Sequence, residues 1–157
     1  MLRIVEFRDD FAPLFHDINA EWIESMFVLE DVDRHVLENP RNAIIDVGGD
    51  ILFVELEARG IVGTGALRWV APGQLELTKM GVRPYMRGLK AGEFLLKALI
   101  ERAAHMKPDR LFLLTNKKCE AAIHLYEKCG FEHDAGLLAS ARHHYDRCDV
   151  AMTYSAL

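Results

Sequence analysis

The chain has 157 residues, half of them hydrophobic and 27% charged, with a formal net charge of −5. That length suits one domain with a single core, and the balance excludes a disordered chain or a disulfide scaffold. The acidic excess argues against general nucleic-acid binding, and no apolar run approaches the roughly 18–20 residues that span a bilayer.

The opening residues, MLRIVEFRDDF, lack the continuous apolar stretch of a secretion signal. Leu2–Phe7 alternates as a short strand. Asp9 or Asp10 can cap a helix from about Phe11 to Phe27, where Phe15, Ile18, Trp22, Ile23 and Met26 recur at helical spacing. A second helix, about Asp31–Glu38, should stop before Asn39-Pro40. Gly48-Gly49-Asp50 turns the chain into a hairpin of Ile51–Ala58 and Ile61–Val70, joined at Arg59-Gly60. Pro72-Gly73 turns it again into the strand Leu75–Val82.

A helix is expected from about Ala91 to Met106, with Leu95, Leu99 and Met106 on one face and Ala98 and Ala103 beside them. Pro108-Asp109 ends it, and Arg110–Thr115 is short and apolar, like a strand buried within a parallel arrangement. Lys118–Lys128 reads as a helix closed by Gly130, followed by strand candidates Phe131–Asp134 and Cys148–Ser155. This order gives an α+β fold: a mixed, mostly antiparallel sheet of six to seven strands, flanked by helices on both faces. Cys119, Cys129 and Cys148 form no CxxC pair and the seven histidines lack ligand spacing. A reduced, cytoplasmic protein without a metal is expected.

Glu76–Met106 holds the most chemical information. A strand, a turn at Arg87-Gly88 and a long helix make a cradle for a diphosphate, because glycine permits close backbone approach and the helix start offers unpaired N–H groups. Val82, Pro84, Arg87 and Gly88 form V-x-P-x-x-R-G. Asn116, Ala122, Leu125, Tyr126, Lys128, Gly130 and Phe131 follow as N-x(5)-A-x-x-L-Y-x-K-x-G-F. Together these resemble the GNAT superfamily of N-acetyltransferases, and Ile61–Leu67 looks like that family's third strand.

The resemblance implies an acetyl-CoA site between splayed fourth and fifth strands. The pantetheine arm would pair with the backbone near Met80, Gly81 and Val82. The diphosphate would rest on Arg87, Gly88, Leu89, Lys90, Ala91 and Gly92, although Lys90 stands where the family usually has Gly or Ala. Tyr126 takes the place of the acid that meets the departing thiolate, and Glu76 that of a base for an amine whose pKa is near 10.4. Asn116 can cap the following helix and also contact the pantetheine. A main-chain N–H near Met80 would face the oxyanion.

The resemblance further implies a primary amine acceptor attacking directly in a ternary complex; members are often dimers, which allows a homodimer here. The acceptor groove would be lined by about Trp22–Asp33 and Leu137–Cys148. Glu24, Glu30, Asp31 and Asp33 suit a cation, whereas Arg142 and Arg147 suit a carboxylate or phosphate. The alternative reading is an acyl-CoA-binding sensor or adaptor without turnover.

Overall fold

Alternation along the strands gives this protein's sheet two different faces, and the helices divide between them. The computed structural model describes residues 1–86, 90–141 and 145–155. In chain order these contain β1 (Leu2–Glu6), α1 (Ala12–Met26), α2 (Asp31–Glu38), β2 (Asp50–Leu56), β3 (Gly60–Ala71), β4 (Gln74–Val82) and α3 (Ala91–Met106). There follow β5 (Arg110–Thr115), α4 (Glu120–Lys128), β6 (Phe131–His133), α5 (Ala135–Ala141) and β7 (Val150–Tyr154). The strands form one seven-stranded sheet in the order β1-β2-β3-β4-β5-β7-β6. Neighbours are antiparallel except β4 and β5, which run parallel. The mixed, mostly antiparallel sheet expected from the sequence is present, with the larger strand number.

On one face Leu75 and Leu77 of β4 join Leu95, Leu96, Leu99 and Ala103 of α3, with Tyr126 of α4 and Phe131 of β6. On the other, Phe15 and Ile23 of α1 and Val36 and Leu37 of α2 close over Ile51, Phe53 and Ala66. α3 lies where its three- and four-residue spacing puts it, except that Met106 is only half-buried. α1 is fixed by Trp22, whose indole N–H donates to Asn19 Oδ1 at 3.0 Å. A Cβ at Gly81 would overlap that indole, so the glycine lets α1 sit directly on β4.

One local expectation changes and two local elements were not foreseen. Asp9 and Asp10 do not cap α1; they lie in a preceding 3-10 turn and pair with Arg41 and Arg8. Arg41–Ile45 forms a π-helical turn, which drives Ile44 into the core before the chain reaches β2. α5 was not foreseen. Its start is secured by Asp134, whose Oδ1 accepts the Leu137 N–H at 2.9 Å while its Oδ2 accepts Thr153 Oγ1 at 3.1 Å. An aspartate before an Ala- and Leu-rich run was the available signal. Among the described residues no helix is long and apolar enough to cross a membrane.

Leu99 is fully buried where α3 crosses the sheet. Leu99→Ala should cost about 2–5 kcal/mol through lost transfer energy and the cavity left behind. Chemical denaturation checks this; a loss well below 1 kcal/mol would mean that α3 is not seated as described.

Candidate functional site

β4 and β5 stay together for only three register pairs: Gln74 with Arg110, Leu75 with Leu111 and Glu76 with Phe112. Among the described residues, the β4 edge facing β5 has no strand partner beyond Glu76, while its other edge remains paired to β3 as far as Val82. Parallel strands finish at the same end, so the chain leaves both strands at the open end of this cleft. There it enters α3 and α4, whose first turns border the mouth. Such a crevice at the carboxyl ends of parallel strands is where open α/β sheets bind ligands. The unpaired β4 edge and the first-turn N–H groups of Ala91, Gly92 and Glu93 supply donors suited to an amide chain ending in phosphates.

Arg87, Gly88 and Leu89 lie outside the described residues. Lys90 precedes α3 in the left-handed conformation, with φ +61°, and is exposed. That conformation carries a Cβ penalty for all residues but glycine, a physical reason for a small residue at this turn. Lys128, in the second motif, pairs with Glu93 at 2.8 Å and fastens α4 to the first turn of α3.

β4 carries a bulge within the cleft. Thr78 stands opposite Ala66 and Gly81 opposite Thr64, leaving Lys79 and Met80 against Gly65. Lys79 adopts φ +51°. Strict alternation from Leu75 and Leu77 would send Lys79 into the apolar core under α3. The bulge turns it instead to the α1–α2 face, beside Thr78, and returns Met80 and Val82 to the core under α3.

There Lys79 enters a buried ionic cluster. Its Nζ donates to Asp33 Oδ1 at 2.9 Å and to the Tyr145 hydroxyl at 3.2 Å. Arg147 donates to both Asp33 oxygens, at 2.6 and 2.8 Å, and to Glu30 at 3.1 Å. Glu30 also accepts the Asp146 N–H at 2.9 Å, tying the start of α2 to the segment before β7. Burial opposes the charge on Asp33, but Arg147, Lys79 and the Glu30 N–H together hold its carboxyl down to about 2. Burial likewise opposes the charge of Lys79, and Tyr145, Asp33 and Glu76 outweigh it, keeping the ammonium above the usual lysine value. Glu30 and Asp33 from the acidic hint and Arg147 from the basic one are thus parts of one structure, whereas Asp31 pairs with Arg34 at the surface and Arg142 lies outside the described residues.

Glu76 shares this face and is 3% exposed. It has neither a hydrogen bond nor an ion pair among the described residues. Burial pushes its carboxyl above the ordinary glutamate value, partly offset by Lys79, Arg68 and Arg147. Tyr126 sits on α4 against Phe131, edge to face at 5.9 Å, and burial pushes its hydroxyl well above the usual phenol range. It therefore remains a hydrogen-bond donor at neutral pH. Glu76 and Tyr126 belong to opposite faces of the sheet, since Tyr126 shares the core under α3 with Leu75 and Leu77, the neighbours of Glu76 on β4.

Asn116 does not cap α4, which starts at Glu120 behind Cys119. It makes a local turn, accepting the Lys118 N–H at 2.9 Å, and donates to the Arg147 carbonyl at 2.6 Å. It so joins the end of β5 to the ionic cluster. Burial pushes the Cys148 thiol up to about 12 and the Cys129 thiol above its ordinary value, so neither is poised as a nucleophile. Sequence reasoning did not single out Lys79, Thr78 or Tyr145 as individual site residues. A lysine in the otherwise apolar run LELTKMGV was the signal for the first.

Comparison with known proteins agrees with this geometry. The family model described as Acetyltransferase (GNAT) family matches residues 8–131. An uncharacterized N-acetyltransferase of Schizosaccharomyces pombe is 29% identical over 125 residues, covering 79% of this chain and 76% of that protein. A GNAT-family acetyltransferase from Staphylococcus aureus aligns over 99% of this chain and 100% of its own, with TM-score 0.85 and 22% identity. A Bacillus subtilis acetyltransferase solved in complex with CoA aligns over 99% and 98%, with TM-score 0.69 and 18% identity. At those identities the two solved structures speak for the fold.

The ionic cluster should govern acid stability. Asp33 has its carboxyl lowered from an ordinary 3.8 to about 2, so its contribution is complete above about pH 5 and drains away as pH falls toward 2. Asp33→Asn leaves Lys79 and Arg147 short of a partner and should cost about 3–5 kcal/mol at neutral pH. It should also flatten the loss of stability between about pH 5 and 2. Thermal unfolding across that range reads both effects, and a mutant whose acid limb matches the wild type would contradict the assignment.

Proposed function

This chain belongs to the acetyltransferase (GNAT) family, and we propose that it moves the acetyl group of acetyl-CoA to a primary amine by direct attack, with both substrates bound together. The observation that carries the reading is the β4–β5 cleft, with the buried carboxylate of Glu76, which has no partner among the described residues, on one face and the buried hydroxyl of Tyr126 on the other. Acetyl-CoA supplies an acetyl group activated as a thioester, with a thiolate as leaving group.

The unpaired β4 edge at Met80, Gly81 and Val82 binds the amide groups of the pantetheine arm, and Asn116 borders the same end of the cleft. Residues 87–92 hold the diphosphate, with Ala91 and Gly92 presenting first-turn N–H groups. Glu76 takes the proton from the acceptor ammonium, directly or through a water. A carboxyl raised by burial suits that task better than an ordinary glutamate. The Met80 N–H stabilises negative charge on the carbonyl oxygen. Tyr126 donates a hydrogen bond to the departing sulfur; because its own acidity is weakened, it chiefly stabilises the thiolate. A protein with reduced thiols working in the cytoplasm as a single domain accords with its three free cysteines.

Thermal shift with acetyl-CoA, free CoA and ATP tests the first half of this reading. Saturation at about a hundredfold over Kd should add roughly 2.7 kcal/mol for the CoA species alone. No shift would remove acetyl-CoA as substrate. A shift without thiol release from any amine would favour a binding module.

For the chemistry, Tyr126→Phe should lower kcat by roughly ten- to a thousandfold with CoA affinity nearly unchanged. Glu76→Gln should lower kcat/KM by roughly a hundredfold or more and abolish the acid limb of its pH profile. In the wild type, activity falls as pH drops through a value above the ordinary glutamate range, because the base must be ionised. An unchanged acid limb in Glu76→Gln would remove that residue as the base.

A further inference from the structure

The mechanism above uses Glu76 and leaves the charged groups around it without a role. Lys79 is the most constrained of them. It is a non-glycine residue at φ +51°, in a strand bulge, with its side chain 2% exposed and its ammonium hydrogen-bonded on two sides. Left-handed backbone at a lysine is unfavourable, as is burying an ammonium. Both are tolerated here because the bulge delivers the charge to the face that carries Glu76 and Thr78.

The geometry points to Lys79 as a positioning residue for Glu76: its ammonium, clamped by Asp33 and Tyr145, is fixed by the bulge on the same face of β4 as the carboxylate, where the sheet divides. The charges balance in a way that makes this specific. Glu30, Asp33, Lys79 and Arg147 are two anions and two cations and satisfy one another. Glu76 is the additional carboxylate, and the cations on its side, Lys79, Arg68 and Arg147, offset part of the cost of burying its ionised form.

Among the described residues, the charged and titratable groups near it come from β3, β4, α2 and the segment before β7. Arg68 on β3 stands opposite it in register, Lys79 follows it on β4, and Tyr145, Arg147 and Cys148 precede β7. Asp33 and Glu30 of α2 and its cap stand behind the two cations. Lys79, Arg68 and Arg147 therefore oppose the rise that burial imposes on the Glu76 carboxyl, and Asp33 keeps Lys79 and Arg147 in place. The same links hold the start of α2 and the segment before β7 against β4, so the wall of the acceptor side is assembled before any amine arrives.

This inference rests on Glu76 being the base, but its test does not require turnover. Glu76 can be titrated by carbon-13 NMR in protein labelled at glutamate side chains, assigned by the signal lost in Glu76→Gln. Lys79→Met should raise the Glu76 midpoint by roughly one pH unit or more, with the dissociation constant for acetyl-CoA unchanged within about twofold. Lys79→Arg should restore most of the wild-type midpoint. Tyr145→Phe keeps every charge but loses one clamp, so it should give a smaller upward shift; it also serves if Lys79→Met does not fold. A Glu76 midpoint unmoved in Lys79→Met, or in Tyr145→Phe where that variant stands in, would overturn the proposal. A shifted midpoint in a protein that acetylates no amine would uphold the coupling and instead sink the role of Glu76 as base.

Discussion

A parallel strand pair that stops after three register pairs leaves backbone donors and acceptors on both inner edges without a ladder partner. Such groups must be satisfied by something, and in a folded protein they are rarely left buried and unmet. Here β5 turns its other edge to β7, and the free edge of β4 faces the cleft. The arrangement holds because β4 is braced on both of its faces. α1 sits on β4 through Trp22 and Gly81, and α3 packs beneath through Leu95, Leu96 and Leu99. An amide-rich ligand lying along β4 would complete the missing ladder, which gives the cleft its chemical selectivity before any side chain is considered.

The ionic cluster beside the cleft is expensive to assemble. Removing four charges from water costs several kcal/mol per ion, and mutual pairing only roughly offsets it. Its worth lies in definition more than in net stability. Removing one member leaves another uncompensated, so Asp33, Lys79 and Arg147 are held to one geometry. That geometry joins three stretches far apart in sequence: the start of α2, the bulge of β4 and the segment before β7. The base is thereby surrounded by fixed dipoles and charges, which do not need to reorganise when a proton moves.

Much of this was legible in the sequence. α2 and β5 fall on their expected residues, and α3 runs from Ala91 to Met106 as its periodicity requires. These segments are decided by short-range rules of spacing and breakers. What escaped was non-local. Nothing in LELTKMGV announces a left-handed lysine, because the bulge is imposed by pairing with β3 and by the cost of placing an ammonium under α3. Glu30 and Asp33 looked like one ligand hint and Arg147 like an opposite one, since their mutual contact spans more than a hundred positions. Asn116 fits the profile of a helix cap and makes a local turn instead, because the chain takes three more residues to enter α4.

The short seam between β4 and β5 also bears on how the molecule breathes. β5, β7 and β6 with α4 are held to the remainder by those three pairs, the core under α3, the Lys128–Glu93 bridge and the ionic cluster. β2 and β3, by contrast, share an almost continuous ladder. Opening at this seam therefore breaks fewer ladder bonds than opening between β2 and β3. The place where a ligand enters is also the place where the fold divides most readily, so filling it would slow amide exchange far beyond the residues it touches.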